Sequence, residues 1–232
     1  MRYLFTNEIL SAVLSATNGD SNYPVRNLQD RFLEKIFGNG AGSSVITGEW
    51  DTDKSADCLF YAFHNLTALS AVYKNSVGGV LATITPSSIA DVGVEYFPKL
   101  TTIRSIEVTI TGDYIGGLAT GPYYQMPDPE EAFPLPLQDN SYFEQSPSGQ
   151  VLSNYEKPLE APEFTFKGVS NDVANEIRSK YTTIGKGTPF YADFFENNRD
   201  FYSPLYCFFT EEPGDNKNSR KRDYSVKLLE AR

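Results

Sequence analysis

This 232-residue chain is poor in the residue types from which most active sites are built. It has one histidine, His64, so a Ser-His-Asp triad or a two-histidine metal site must use that residue or not form. Its two cysteines, Cys58 and Cys207, form no CxxC pair, which leaves a zinc or redox site without support. Both lie in apolar runs, where a free thiol behaves as a small hydrophobe, so buried thiols are expected. No stretch approaches the ~20 apolar residues of a membrane span, and the first residues carry no apolar run of signal-peptide length. Synthesis in a cytoplasm is therefore expected. Basic residues are also scarce, 20 against 30 acidic ones, giving a net charge of −10. A chain this acidic is badly suited to phosphate backbones or anionic membranes, whose affinity comes from Lys and Arg. The one basic run, Lys217 to Arg222, reads as a solvated turn between strands. Gly116-Gly117 and Gly185-x-Gly187 lack the spacing and the Lys-Ser ending of a phosphate loop.

What is present is aromatic and β-forming. Phe and Tyr number 16 and 15 against one Trp and two Met, a bias toward sheets. Ile106, Val108 and Ile110 alternate with Ser105, Glu107 and Thr109, the period of a half-buried strand. Cys58 to Phe63 is a continuous apolar run, fitting a strand covered on both faces. Asn75 to Gly79 is turn chemistry between two such runs. Leu28 to Phe37 reads as one or two helical turns. Seven of the 14 prolines fall between Pro127 and Pro162, which interrupts regular structure. Beyond them, Ser170-Asn171-Asp172 offers caps for a helix with Val173, Ile177, Tyr181 and Ile184 on one face, stopped by Gly185, Gly187 and Pro189. Strand candidates surround it at Phe164 to Phe166, Phe190 to Phe195, Leu205 to Phe209 and Tyr224 to Leu228. The expected fold is mainly β: a β-sandwich jelly roll over 1–126, an extended Pro-rich arm over 127–162, and a small α+β module over 163–232.

Three motifs follow one another in the first half. The first runs from Ser21 to Asp30 and holds Asn22, Pro24, Asn27, Leu28 and Asp30. The second is His64-Asn65-Leu66, and the third contains Gly116, Leu118 and Gly121. Asn22 and Pro24 fix an extended entry, and Asn27 and Asp30 have side chains able to pin a loop. In order and spacing this set resembles the galactose-binding-like (discoidin-type) jelly rolls of bacteriophage tail and baseplate proteins. The segments Ser146 to Val151, Gly187 to Asp193 and Leu228 to Arg232 resemble the later part of the same proteins. The resemblance implies a non-enzymatic structural component of a virion tail, without cofactor. Its partners would be copies of itself and neighbouring tail proteins. The alternative is a carbohydrate-binding module for host-surface glycans, with Tyr123 and Tyr124 as stacking residues. Wider discoidin domains often carry Trp where this chain has Ile36-Phe37, a departure that argues against inherited sugar binding.

Other constellations are weaker. Asp51, Asp53 and Asp57 could offer oxygens to Ca²⁺, but their spacing is not that of an EF-hand and fits a solvated turn. Asp128, Glu130 and Glu131 are carboxylates in the Pro-rich arm, a poor platform for glycoside hydrolysis. His64, at the end of an apolar strand, reads as a histidine satisfied by backbone.

Overall fold

A computed structural model describes residues 1–30, 33–40, 42–126, 136–139, 141–145, 151–154, 158–194, 204–218 and 221–231. In chain order the strands are β1 (Arg2–Leu4), β2 (Val13–Ala16), β3 (Phe37–Gly38), β4 (Ser43–His64), β5 (Ala68–Lys74), β6 (Val80–Ile84), β7 (Val92–Thr111), β8 (Tyr114–Gly121) and β9 (Tyr124–Gln125). They continue as β10 (Leu137–Gln138), β11 (Tyr142–Gln145), β12 (Val151–Asn154), β13 (Leu159–Glu160) and β14 (Glu163–Val169). Helix α1 (Asn171–Ile184) precedes β15 (Phe190–Asp193), β16 (Leu205–Phe209), β17 (Gly214–Asn218) and β18 (Lys221–Glu230). The mainly β fold expected from composition is what forms. Two compact units are present: Met1–Met126 with Phe190–Tyr206, and Pro127–Pro189 with Cys207–Ala231.

The first unit is built on two long strands that each serve two layers. The N-terminal half of β4 pairs with β2 and with the C-terminal half of β7, which in turn pairs with β5. The C-terminal half of β4 pairs instead with β8 and with the start of β7. Register shifts between Glu49 and Cys58 mark the irregular stretch between these halves, since a bulge bends and twists a strand. Alternate residues of both halves meet in one core, with Ile46, Leu59, Tyr61, Leu69, Tyr73, Val108, Ile110 and Leu118 all buried. Tyr73 Oη on β5 lies 2.8 Å from Thr120 Oγ1 on β8, a hydrogen bond that crosses the sandwich. The opposite face of the β4–β8 layer is covered as well, where Phe60, Ala62 and Ala119 pack with Leu4 and Tyr191. That cover is a third layer, β9–β1–β15, antiparallel throughout. It explains why Cys58 to Ala62 reads as a run and not as an alternation.

Of the helical turns expected at Leu28 to Phe37, the described residues show none beyond Gln29, and residues 31 and 32 lie outside them. A 3-10 turn spans Val25–Gln29 instead, beginning after Pro24, whose φ of −69° suits that position. Leu28 from this turn is 3% exposed and belongs to the core. In β3, Phe37 is fully buried.

In the second unit, Phe164, Phe166, Tyr224, Val226 and Leu228 alternate inward on the antiparallel β14–β18 pair. Helix α1 starts on Ser170, whose hydroxyl accepts the Val173 N–H, and ends at Gly185 with φ 72°, a left-handed cap. Ala174 and Ile177 form its buried face, and Tyr181 meets Phe209 edge-on at 5.5 Å. The basic run falls on the β17–β18 hairpin, with Lys217 opposite Arg222. Ser219 and Arg220 lie outside the described residues. Within 127–162 the described residues form two small antiparallel ladders, β10–β13 and β11–β12. Pro127, Pro129, Pro134 and Pro147 lie outside them, as do Asp128, Glu130 and Glu131. Cys58 and Cys207 are both buried free thiols.

Candidate functional site

The three separated motifs meet at one edge of the β3–β8–β4 layer. Gly38 in β3 pairs with Tyr114 in β8, and Ile115 in β8 pairs with His64 in β4. Asn65 is the hub of this edge. Its Oδ1 accepts the N–H groups of Asp113 at 2.9 Å and Tyr114 at 3.1 Å, and its Nδ2 donates to Asp113 Oδ2 at 2.9 Å. Leu66 beside it is buried in the core. Asn27 Nδ2 donates to the Ile36 carbonyl at 2.8 Å, which holds the approach to β3. Asn22 donates its N–H to Asp20 Oδ1 at 2.8 Å, and Asp30 pairs with Lys35 at 2.6 Å. At Gly116 a Cβ would collide with the Leu33 carbonyl oxygen, and at Gly121 with that of Thr6. Leu118 is core. These residues, singled out in the sequence as a family pattern, therefore hold loops and let backbones approach.

His64 is satisfied by backbone on both sides. Its Nδ1 accepts the Leu66 N–H at 3.1 Å, which puts the proton on Nε2, 3.0 Å from the Ala90 carbonyl. Burial pushes its pKa below the ordinary histidine range, partly opposed by that carbonyl and by Asp91. A neutral imidazole with both nitrogens engaged is poorly placed to act as a base.

Three aromatic residues gather at this edge. By strict alternation Phe63 would follow Leu59 and Tyr61 into the core. Its φ is instead 50°, a left-handed conformation that bulky residues rarely adopt. The side chain is 48% exposed and lies 6.2 Å, centroid to centroid, from the Tyr114 ring. Tyr23 sits over Gly38, where a Cβ would come within 2.9 Å of the tyrosine's own Cβ, and it is 46% exposed. Gly38 faces Tyr114 across the ladder, so Tyr23 lies over β3, Tyr114 stands on the neighbouring β8, and Phe63 follows on β4. At one strand spacing each, the row spans roughly 10 Å. Nothing in the sequence revealed it, because the sign of φ at Phe63 has no signature in residue type.

The stacking candidates named from sequence are placed differently. The Arg2 guanidinium lies 4.0 Å from the Tyr96 ring and 4.6 Å from the Tyr123 ring, and Tyr96 and Tyr123 meet edge-on at 5.3 Å. Tyr123 N–H donates to Asp57 Oδ1 at 2.7 Å, and Tyr96 Oη donates to Asp193 Oδ2 at 2.9 Å. Burial raises the pKa of Asp57, which the Tyr123 N–H partly offsets. Tyr124 is in β9, 6.2 Å from Phe5. This is a cation–π cluster that fastens β9, with Tyr123 built into it. Asp51, Asp53 and Asp57 do not converge. Asp53 lies 3.6 Å from Arg104, Asp57 is turned to Tyr123, and no group of three metal-ligating side chains that could hold an ion occurs among the described residues.

The second unit has a cavity of about 320 Å³ lined by Ala174, Asn175, Arg178, Glu212, Pro213, Gly214 and Tyr224. Arg178 and Glu212 form an exposed ion pair at 3.3 Å, the kind that contributes little. Among the described residues no helix is long and apolar enough to cross a membrane.

No family model matches the chain, and no curated protein sequence matches it. Solved structures do match about half of it. A fucose binding module of Streptococcus pneumoniae aligns at 10% identity and a TM-score of 0.43, over 50% of this chain and 94% of that one. A putative alpha-L-fucosidase of Bacteroides thetaiotaomicron aligns at 18% identity and 0.46, over 53% of this chain and 29% of that one. A Clostridium perfringens domain named CpGH89CBM32-4 aligns at 17% identity and 0.37, over 50% and 98%. None of these three is a tail protein, and at these TM-scores function has to be argued from the chain's own residues.

Proposed function

We propose that the first unit is a non-catalytic carbohydrate-binding module whose ligand lies across Tyr23, Tyr114 and Phe63. The observation that carries this is Phe63, held at a φ of 50° with its ring 48% exposed beside Tyr114. Backbone strain of this sort costs roughly 1–3 kcal/mol and clusters at functional sites. Here its result is an aromatic ring in solvent where alternation would bury it. A pyranose presents an apolar C–H face and a polar rim. An aromatic face edged by amide and carboxylate groups complements both parts, as binding sites generally do. Asn65 and Asp113 supply such an edge. That several matched structures are named as sugar-binding modules is not the ground for this reading.

The same reading takes the module as non-catalytic, and its single histidine, with both ring nitrogens on backbone partners, offers no free base. The tail-component reading, with self-association and a virion location, has no residue-level observation to carry it. The test is a glycan array probed with the full chain and with Phe63→Ala and Tyr23→Ala. Selective binding by the parent, weakened at least tenfold in each variant at unchanged melting temperature, is the expected result. An array without a single bound glycan would overturn the reading.

A further inference from the structure

Two carboxylates border the aromatic residues, Asp20 beside Tyr23 and Asp113 beside Tyr114. Asp20 stands on the Tyr23 side, where its carbonyl accepts the Tyr23 N–H at 3.1 Å. Its Oδ1 accepts the Asn22 N–H at 2.8 Å. Asp113 directly precedes Tyr114 and is exposed, and its Oδ2 accepts from the Asn65 amide at 2.9 Å. Both acids are therefore bonded to neutral donors, and among the described residues neither forms an ion pair. Lys35 has its ammonium on Asp30 at 2.6 Å. The charge of the chain as a whole has the same sign, −10.

A ligand across these rings meets negative charge beside Tyr23 and beside Tyr114, with the Asn65 amide next to the latter. Hydroxyl groups satisfy such an edge as donors, because an ionised carboxylate only accepts. A sugar carboxylate or sulfate brings a like charge against it, and like-charge contacts across an interface are a standard means of rejecting wrong partners. Resting on the carbohydrate-binding reading, we infer that the ligand is a neutral glycan and that Asp113, seconded by Asp20, excludes acidic sugars. The charge of these two residues sets specificity, whereas Phe63 and Tyr23 supply the stacking face.

The experiment compares matched probes on the full chain: lactose against its sialylated form, and digalactose against digalacturonic acid. Each pair is titrated into the parent, Asp113→Asn and the double variant Asp20→Asn/Asp113→Asn, with melting curves alongside. Asp113→Ser serves if the amide variant fails to fold. The expected result is that the parent favours the neutral member of a bound pair by about tenfold or more. The preference should shrink in Asp113→Asn and vanish in the double variant, because the acidic member gains relative to the neutral one. Equal binding of neutral and acidic members by the parent, or a preference that survives the double substitution, overturns the charge exclusion and leaves the aromatic site standing. Failure of every probe, together with an empty glycan array, overturns both.

Discussion

At the scale of single residues, Phe63 predicts a separation between stability and binding. Its φ of 50° favours glycine, and half of its side chain is already in water. Phe63→Gly should therefore shift unfolding free energy by no more than about 1 kcal/mol, strain relief offsetting lost contact. Phe60→Ala, three residues earlier and fully buried, should cost about 3–5 kcal/mol. Trp50, 6% exposed with its indole N–H on the Glu8 carbonyl at 2.9 Å, provides a fluorescence signal for both titrations. The glycines divide in the same manner. Gly116→Ala forces a methyl into the Leu33 carbonyl and should destabilise by at least 1–3 kcal/mol. Gly40→Ala, whose nearest neighbour is the Asn18 carbonyl at 3.5 Å, should be close to neutral. Chemical denaturation of the two variants side by side checks this. The sequence showed that Gly116, Gly121 and Asn65 belong together, but not why. Close approach and amide bridging become visible only when Leu33, Thr6 and Asp113 are placed around them.

At the scale of elements, the strand ending at His64 carries a pH prediction. The folded protein holds this imidazole neutral with its pKa lowered by burial, whereas the unfolded chain binds the proton near its ordinary value of about 6.5. The unfolded state then takes up more protons as pH falls, so stability is complete above about 6.5 and declines below it. Between pH 7 and about 5.5 the parent should lose stability, and His64→Gln should flatten that slope. An unchanged slope would remove His64 as its source. The link between layers is testable too: Tyr73→Phe deletes the hydroxyl that reaches Thr120 and should cost about 1 kcal/mol. Much of this level was legible in the sequence. Alternation located the β7 strand, and Ser170 with Gly185 bounded the helix, because periodicity and caps are local properties. The long β4 was not legible as one strand, since it is divided between two layers and bulged at Glu49 to Cys58. The Val25–Gln29 turn was missed for a related reason: Leu28 points into the core as a single anchor, without the repeat that marks a helix.

At the scale of the whole molecule, composition stops at an acidic, mainly β chain, and the resemblance of its motifs is what sets an expectation of assembly or glycan recognition. Choosing between them required the arrangement of side chains. Tyr123 was proposed as a sugar platform from its type and neighbourhood, yet it is built into the Arg2–Tyr96 cluster. The rings that do face solvent, Tyr23 and Phe63, stand 40 positions apart in the chain and meet only through the pairing of β3, β8 and β4. The central claim is that this row is the ligand face. Its most direct test is calorimetric titration of the best array glycan into the full chain, Tyr23→Ala/Phe63→Ala, and Tyr123→Ala. The account predicts binding lost in the double variant at an unchanged melting temperature. It predicts affinity kept in Tyr123→Ala, with a lowered melting temperature as the cation–π cluster opens. Full affinity in the double variant, with binding lost in Tyr123→Ala, would contradict it.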